Sequence, residues 1–358
     1  MNRLSLLKQS KLLFNKKNAN PIYLTFFVTN KCNARCPYCF YWKELGKTKD
    51  ELKLKEIEKI TKTMSPFPNL LLSGGEPFLR EDIVKIVNLF YKNNKISHLT
   101  IPTNGIDTAR TIGLTKRILN TCSDLNFLIS ITLDGFENEH EKIKGKGSFK
   151  KAINTYHQLI DMKKTYPLLN VGISLTISPL NQNYILEFYE YIKNELKPDL
   201  ISPLLIRGEP KSKELKKVDI RFYEKLNKKI EEDLISKNIK GYDKFLFSKL
   251  AMGSRLIRNK LIAKTFKENK YLIPCYAGLL NAVLYSDGGV YPCELLNRKI
   301  GNLRDYNYDF KKLWDSNEAR DIRKDIKKSK CFCTHECNMT TNILFNVKYL
   351  PKLIYGLK

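Results

Sequence analysis

The sequence predicts an α/β fold with a parallel sheet, followed by a small cysteine-rich domain of α+β character. Three observations carry this. Between residues 21 and 208, six apolar runs rich in β-branched and aromatic residues alternate with segments of helical periodicity; such alternation joins parallel strands through right-handed crossovers. Three cysteines crowd the loop behind the first of these runs. From Cys275 onward the composition changes, and five cysteines gather around a Gly-Gly turn and a short C-terminal group.

The frame around these observations is that of a globular protein. A length of 358 residues with 42% hydrophobic content suits about two domains. No apolar run approaches the roughly 18 residues of a membrane span, and the start lacks the apolar core and cleavage site of a secretory signal. Nine cysteines without a leader predict metal binding in a reducing, cytoplasmic setting rather than disulfides. With 63 basic against 37 acidic residues, the net charge is +26. Such a surface favours acidic partners: anionic lipid, nucleic acid, an acidic peptide or an acidic electron carrier. Most of the charge reads as solvated helix faces, since Lys43, Lys47, Lys49, Lys53 and Lys55 are interspersed with acids.

Residues 1–20 form a basic segment without an acid. The first strand covers 22–28 and leads to Cys32-Asn-Ala-Arg-Cys36-Pro-Tyr38-Cys39. Leu54, Ile57, Ile60 and Met64 then recur at helical spacing. Strands are predicted at 70–72, 98–102, 126–133, 171–177 and 200–206, with helices around 83–90, 118–119, 152–160 and 184–196. Residues 209–272 are dense in lysine and read as a helical linker over the open side of the sheet. Residues 273–340 form the second domain, with one helix at 310–327 carrying Leu313, Trp314, Ala319 and Ile322. In the tail, 341–358, Ile343, Val347, Leu350, Ile354 and Leu357 fall on one helical face with Lys348 and Lys352 opposite, interrupted by Pro351. That pattern predicts docking on the protein or weak contact with an anionic membrane.

A loop leaving a strand is free of ladder hydrogen bonds and can fold three thiols toward one point, where soft thiolates bind zinc or an iron–sulfur cluster. Structural zinc wants four ligands. Cys32, Cys36 and Cys39 supply three, with no histidine nearby, and three ligands leave one iron of a four-iron cluster open. A second motif, Ser73-Gly74-Gly75-Glu76-Pro77, follows the apolar run 70–72. Paired glycines allow close backbone approach, and one carboxylate suits an ammonium.

With Tyr38 before the third cysteine, this pair of motifs resembles the radical S-adenosylmethionine (SAM) superfamily. The resemblance implies a partial (β/α)6 radical SAM barrel and a SAM-binding 4Fe-4S cluster on Cys32, Cys36 and Cys39. It also implies SAM contacts from Tyr38 and from Gly74, Gly75, Glu76 and Pro77, the turn that binds the methionine amino group. At later strand ends, Thr103, Asn104, Ser130 and Asp134 are similar to positions lining the SAM ribose and methionine. Asn104-Gly105 and Asp134-Gly135 equally read as turns. Arg207 reads as a surface residue. His157, close to the apolar face of a helix, reads as core or rim, His98 and His140 offer no constellation, and Cys122 reads as a buried small hydrophobe.

The second cysteine group resembles the SPASM/Twitch extension. Cys275 is followed by Gly288 to Cys293 as G-x-x-x-x-C, then by Cys331, Cys333 and Cys337. The full pattern has seven cysteines and two auxiliary clusters; here five thiols imply one auxiliary 4Fe-4S cluster with a thiol to spare. Cys331 and Cys333 compete for that surplus place, His335 is a further candidate ligand, and a structural zinc ribbon is the alternative.

The implied activity is reductive cleavage of SAM to a 5′-deoxyadenosyl radical that abstracts hydrogen from substrate. The net reaction is oxidation or cross-linking of a peptide or protein, or else oxidation of a sugar, alcohol or other small molecule. Only 31 residues precede Cys32, so no fused leader-recognition domain is expected. An acidic electron donor such as flavodoxin or ferredoxin is the expected partner. A non-catalytic metal-binding interaction protein ranks below these, and no specific nucleic-acid binding is expected, since aromatic–basic interleaving is missing.

Overall fold

The computed structural model describes residues 20–240 and 248–355. Strands β1 (Tyr23–Thr29), β2 (Asn69–Gly74), β3 (His98–Thr103), β4 (Asn126–Thr132), β5 (Leu169–Ile177) and β6 (Leu200–Leu205) pair in parallel in sequential order. Strand β7 (Asn281–Leu284) joins the free edge of β1, again in parallel, with Tyr23 opposite Asn281. Strands β8 (Gly289–Tyr291) and β9 (Gly301–Asn302) continue it antiparallel. One nine-stranded sheet, 6-5-4-3-2-1-7-8-9, therefore carries both cysteine regions.

The strand pleat sorts residues by face. On β4, Phe127, Ile129 and Ile131 are fully buried in the main core. Ser130 and Thr132 lie on the opposite, concave face, level with Ser174, Thr176 and Ser202 through the β5 and β6 registers. The side chains on that face are small hydroxyls, of which Ser130 and Ser174 are buried.

Helices α1 (Leu54–Thr63), α2 (Ile83–Asn94), α3 (Thr108–Thr121), α4 (Glu137–Lys144), α5 (Ser148–Met162) and α6 (Ile185–Tyr191) fill the crossovers. The short helix expected near Ile118 is in fact 14 residues long. Asp107 caps it by accepting from Arg110 N at 3.1 Å, and its buried face includes Thr111 and Thr115, which an apolar count passes over. Helix α7 (Ile220–Ile235) packs on α6 and β6, and α8 (Ser248–Glu268) packs on α7.

The single helix expected at 310–327 is two, α9 (Phe310–Trp314) and α10 (Asn317–Lys328). Ser316 sits between them in extended backbone and accepts from Ala319 N at 3.2 Å. A serine N-cap starts a new helix rather than continuing one. Helices α11 (Glu336–Leu344) and α12 (Leu350–Tyr355) pack on α8.

The tail is not one amphipathic stripe. Asn346 breaks it by capping Lys348 N at 3.1 Å, Ile343 and Leu353 are buried, and Val347 is 44% exposed. The basic segment 1–20 lies outside the described residues except for its last position, as do Leu357 and the Ile354 side chain.

Candidate active site

The first thiol loop begins where β1 ends. Cys39 N donates to Cys36 O at 3.1 Å and Ala34 N to Cys32 Sγ at 3.4 Å, which folds the loop so that the three half-exposed thiols are neighbours, Cys32 feeling the charge of both Cys36 and Cys39. The paired glycines bring β2 against this loop. A Cβ at Gly74, where φ is +134°, would lie 2.3 Å from Thr29 O, and one at Gly75 would lie 2.1 Å from Lys31 O. No other residue fits there. Arg80 donates to Val28 O and Leu52 O, and Arg110 to Phe78 O. These two guanidiniums pin the turn, and sequence reasoning missed them.

Glu76 is buried and gathers the third strand end. Its Oε1 accepts from Thr103 Oγ1 at 2.9 Å and Phe78 N at 3.3 Å, and its Oε2 from Asn104 N at 2.8 Å. Burial pushes its carboxyl up to about 7 even against these bonds. Asn104 Nδ2 reaches back to Asn33 Oδ1 at 2.7 Å, so Glu76, Thr103 and Asn104 meet the thiol loop as one unit. Pro77 opens the turn that follows.

A second unit surrounds Asp134, which is completely buried. Its carboxylate accepts from Tyr38 Oη at 2.5 Å and Thr176 N at 3.1 Å, and lies 3.0 Å from Lys144 Nζ. Lys144 also donates to Thr132 Oγ1 at 2.9 Å and stands 3.9 Å from Cys36 Sγ. Burial would raise the Asp134 carboxyl, but the Lys144 and His140 charges and the Tyr38 bond bring it below its usual range. Burial disfavours the ammonium of Lys144, yet Asp134 and the Cys36 thiol hold it well above the ordinary value.

Lys144 was not singled out because helix α4 reads as a solvated charge run. The one available signal is its i, i+4 spacing from His140 on a shared face. His140, expected to have no constellation, is buried and accepts from Asp134 N at 3.3 Å. Ser130 Oγ meets Ser174 Oγ at 2.5 Å on the concave face. His157 is exposed, and Cys122 is buried as expected.

The C-terminal thiols sit differently. Cys275, Cys331 and Cys333 border a small recess with Ile273, Met339 and Asn342, and burial pushes the Cys275 thiol up to about 12. Cys293 is buried and accepts from Leu296 N at 3.2 Å. Among the described residues no three His, Cys, Asp or Glu side chains close on a point tightly enough for a single ion. Thiolates are the ligands of iron–sulfur clusters, and three thiols edge this recess.

Arg207, expected on the surface, is instead a partly buried bridge. It pairs with Glu294 at 3.2 Å and Glu336 at 2.9 Å. Glu336 Oε1 also accepts from Leu205 N of β6 at 3.2 Å. His335 is spoken for at both ring nitrogens, with Glu294 at 3.0 Å and Asn338 N at 3.3 Å, so it is held in this network rather than turned to the thiols. Burial would raise the Glu294 carboxyl, but His335 and Arg207 draw it down to about 2.

A parallel half-barrel with three thiols behind β1 and Gly-Gly-Glu-Pro behind β2 is the architecture of a radical SAM protein. Residues 26–192 match the radical SAM superfamily, and residues 275–338 match the SPASM iron–sulfur cluster-binding domain. The chain belongs to the radical SAM superfamily, with 4Fe-4S clusters and SAM as its cofactors. A cysteine-type anaerobic sulfatase-maturating enzyme of Clostridium novyi is 25% identical over 85% of this chain and 83% of its own. A probable GTP 3′,8-cyclase of Methanocaldococcus jannaschii is 28% identical over 59% of this chain and 73% of its own. The chain spans about half the length of several other curated relatives it matches. Native anSMEcpe with bound AdoMet shares the fold at a TM-score of 0.60 and 20% identity, over 94% of this chain and 99% of that one.

Proposed function

We propose that this chain is a radical SAM oxidoreductase of the SPASM/Twitch type that oxidises or cross-links a peptide or protein. The observation that carries this reading is the likeness to the Clostridium novyi sulfatase-maturating enzyme, which covers 85% of this chain. Structures of similar fold include anSMEcpe with the Cp18Cys peptide and Streptococcus suis SuiB with precursor peptide SuiA.

In this reading the barrel spans 21–208, a helical linker 209–272, the auxiliary domain 273–340 and the tail 341–358. Cys32, Cys36 and Cys39 hold the SAM-binding cluster. When bound, cluster and SAM supply a 5′-deoxyadenosyl radical that takes hydrogen from the substrate. Glu76 presents carboxylate to the methionine ammonium, with Thr103 and Asn104 fixing its orientation. Gly74, Gly75 and Pro77 shape that turn, while Tyr38, Asp134 and Ser130 line the neighbouring wall. Lys144 keeps a buried positive charge beside Cys36. The basic surface receives an acidic flavodoxin or ferredoxin in the cytoplasm.

A second reading, a small polar substrate, is favoured by the hydroxyls of Ser130, Thr132, Ser174, Thr176 and Ser202 on the concave face. Anaerobic incubation with SAM and dithionite separates the two. Peptide pools should stimulate 5′-deoxyadenosine formation and lose two hydrogens on some member. Stimulation by sugars or alcohols alone would transfer the assignment to the second reading.

A further inference from the structure

We infer that the auxiliary cluster is held by Cys275, Cys293, Cys331 and Cys333, and that Cys337 is not a ligand but a thiol that helps close the split barrel. Helix α11 supplies the geometry. Met339 and Asn342 line the thiol-bordered recess together with Cys275, Cys331 and Cys333, and they lie three residues apart, on one helical face. At about 100° per residue, Cys337 points about 200° away from Met339 and about 140° from Asn342. It is therefore turned from the recess toward the sheet.

Its contacts agree with that direction. Cys337 Sγ lies 3.6 Å from Tyr23 Oη on β1. Thr341, one turn further along the same face, donates to Asn281 Oδ1 of β7 at 2.9 Å. The preceding residue, Glu336, takes Leu205 N of β6 and Arg207. Strands β1 and β6 are the first and last of the half-barrel, so adjacent residues 336 and 337 tie together its two ends. Asn342, on the recess side, accepts from Tyr276 N at 2.8 Å beside Cys275. Cys293 completes the four: Gly278 N, three residues past Cys275, donates to Pro292 O at 3.1 Å, which brings the chain at Cys293 up to the Cys275 turn, whereas Cys337 Sγ faces Tyr23 Oη.

The inference rests on the auxiliary-cluster reading, and the parent protein of the test examines that reading separately. In full-length protein with Cys32, Cys36 and Cys39 replaced by alanine, reconstituted anaerobically with iron and sulfide, about four irons per chain should remain. A parent without iron would refute the auxiliary cluster itself. On this background Cys337→Ser, which keeps a hydroxyl for Tyr23, and Cys337→Ala should both retain the iron and the electron paramagnetic resonance signal of the reduced cluster. Cys275→Ala, Cys293→Ala, Cys331→Ala and Cys333→Ala should each lose or alter that signal, with circular dichroism reporting on folding. Loss of the signal in folded Cys337→Ser, or its unchanged survival in Cys331→Ala or Cys333→Ala, would overturn the assignment.

Discussion

The two thiol sites are built for opposite purposes from the same side chain. Behind β1, three half-exposed thiols share a ladder-free loop, and their surroundings are polar and charged: Lys144, Tyr38, Asp134, Asn33. Beyond β7, the thiols border a small recess under α8 and α11, and nearby Arg207 pairs with both Glu294 and Glu336 while His335 bonds to Glu294. The first site lies where loops converge at the carboxyl ends of parallel strands, the usual place for ligands in α/β folds. The second lies at the flank of the sheet, covered by helices. The contrast lies in what surrounds the thiols, since most thiols of both groups are half-buried.

Removing the open site altogether should have the largest effect. Replacing Cys32, Cys36 and Cys39 by alanine is expected to abolish 5′-deoxyadenosine formation while leaving roughly half of the iron. Loss of all iron would show that the closed site cannot assemble alone and would erase the contrast.

A sharper cut addresses the charge that distinguishes the open site. Lys144→Met would leave the Asp134 carboxylate buried without its partner, and breaking such a pair typically costs about 3–5 kcal/mol. Both side chains are at most 4% exposed, so solvent offers little relief. Denaturant unfolding should show that loss, and adding Asp134→Asn should recover most of it. The exposed Lys164–Asp161 pair serves as the control, where the same replacement should change stability by less than about 1 kcal/mol. An equal, small change at both pairs would mean that Lys144 is solvated like any other lysine.

How much of this was legible beforehand depended on whether a feature is local. Both motifs, their order at strand ends and the six-unit alternation are local, and were readable because turn and strand chemistry sit within a few residues. Lys144, Arg207 and His335 were not, because each owes its surroundings to residues far away in sequence: Arg207 meets Glu294 and Glu336, 87 and 129 residues further on. A charged helix such as α4 reads as solvated until something covers it. The break at Ser316 was available to a stricter reading, since serine before an acidic helical turn is a start signal.

Glu76 tests the turn itself, at a smaller scale. Glu76→Gln places an amide in a site built for three donors, and should weaken SAM binding by about 1–3 kcal/mol, the range for a hydrogen bond to a charged group. The pH dependence has a definite sign. The folded-state value near 7 lies above the ordinary 4.5. The unfolded chain therefore ionises first, and the apo-protein loses stability as pH rises from 4.5 toward 7. An ammonium prefers the ionised carboxylate, so SAM affinity should strengthen over the same interval. Titrations of wild type and Glu76→Gln between pH 5 and pH 8 by calorimetry should show this slope only in the wild type. A slope that persists in the variant would assign it to another group.

The smallest effect is expected at the tail, which sequence periodicity drew as one apolar stripe docking on the protein or touching an anionic membrane. Its geometry divides that stripe: Leu353 is buried, Val347 is exposed, and Asn346 interrupts the helix. An interfacial helix needs a continuous apolar face to sink into the acyl boundary, and here the larger apolar side chains are turned toward the protein. What remains for lipid is charge. Truncation after Asn346 removes three of the chain's 63 basic residues, each worth about 1 kcal/mol at most when held close to an anionic surface. Cosedimentation with phosphatidylserine vesicles at low salt should therefore fall only slightly on truncation, and salt should release both forms alike. If the truncated chain no longer sediments while the full chain does, the tail is the anchor and the packing seen for Leu353 must open at the membrane.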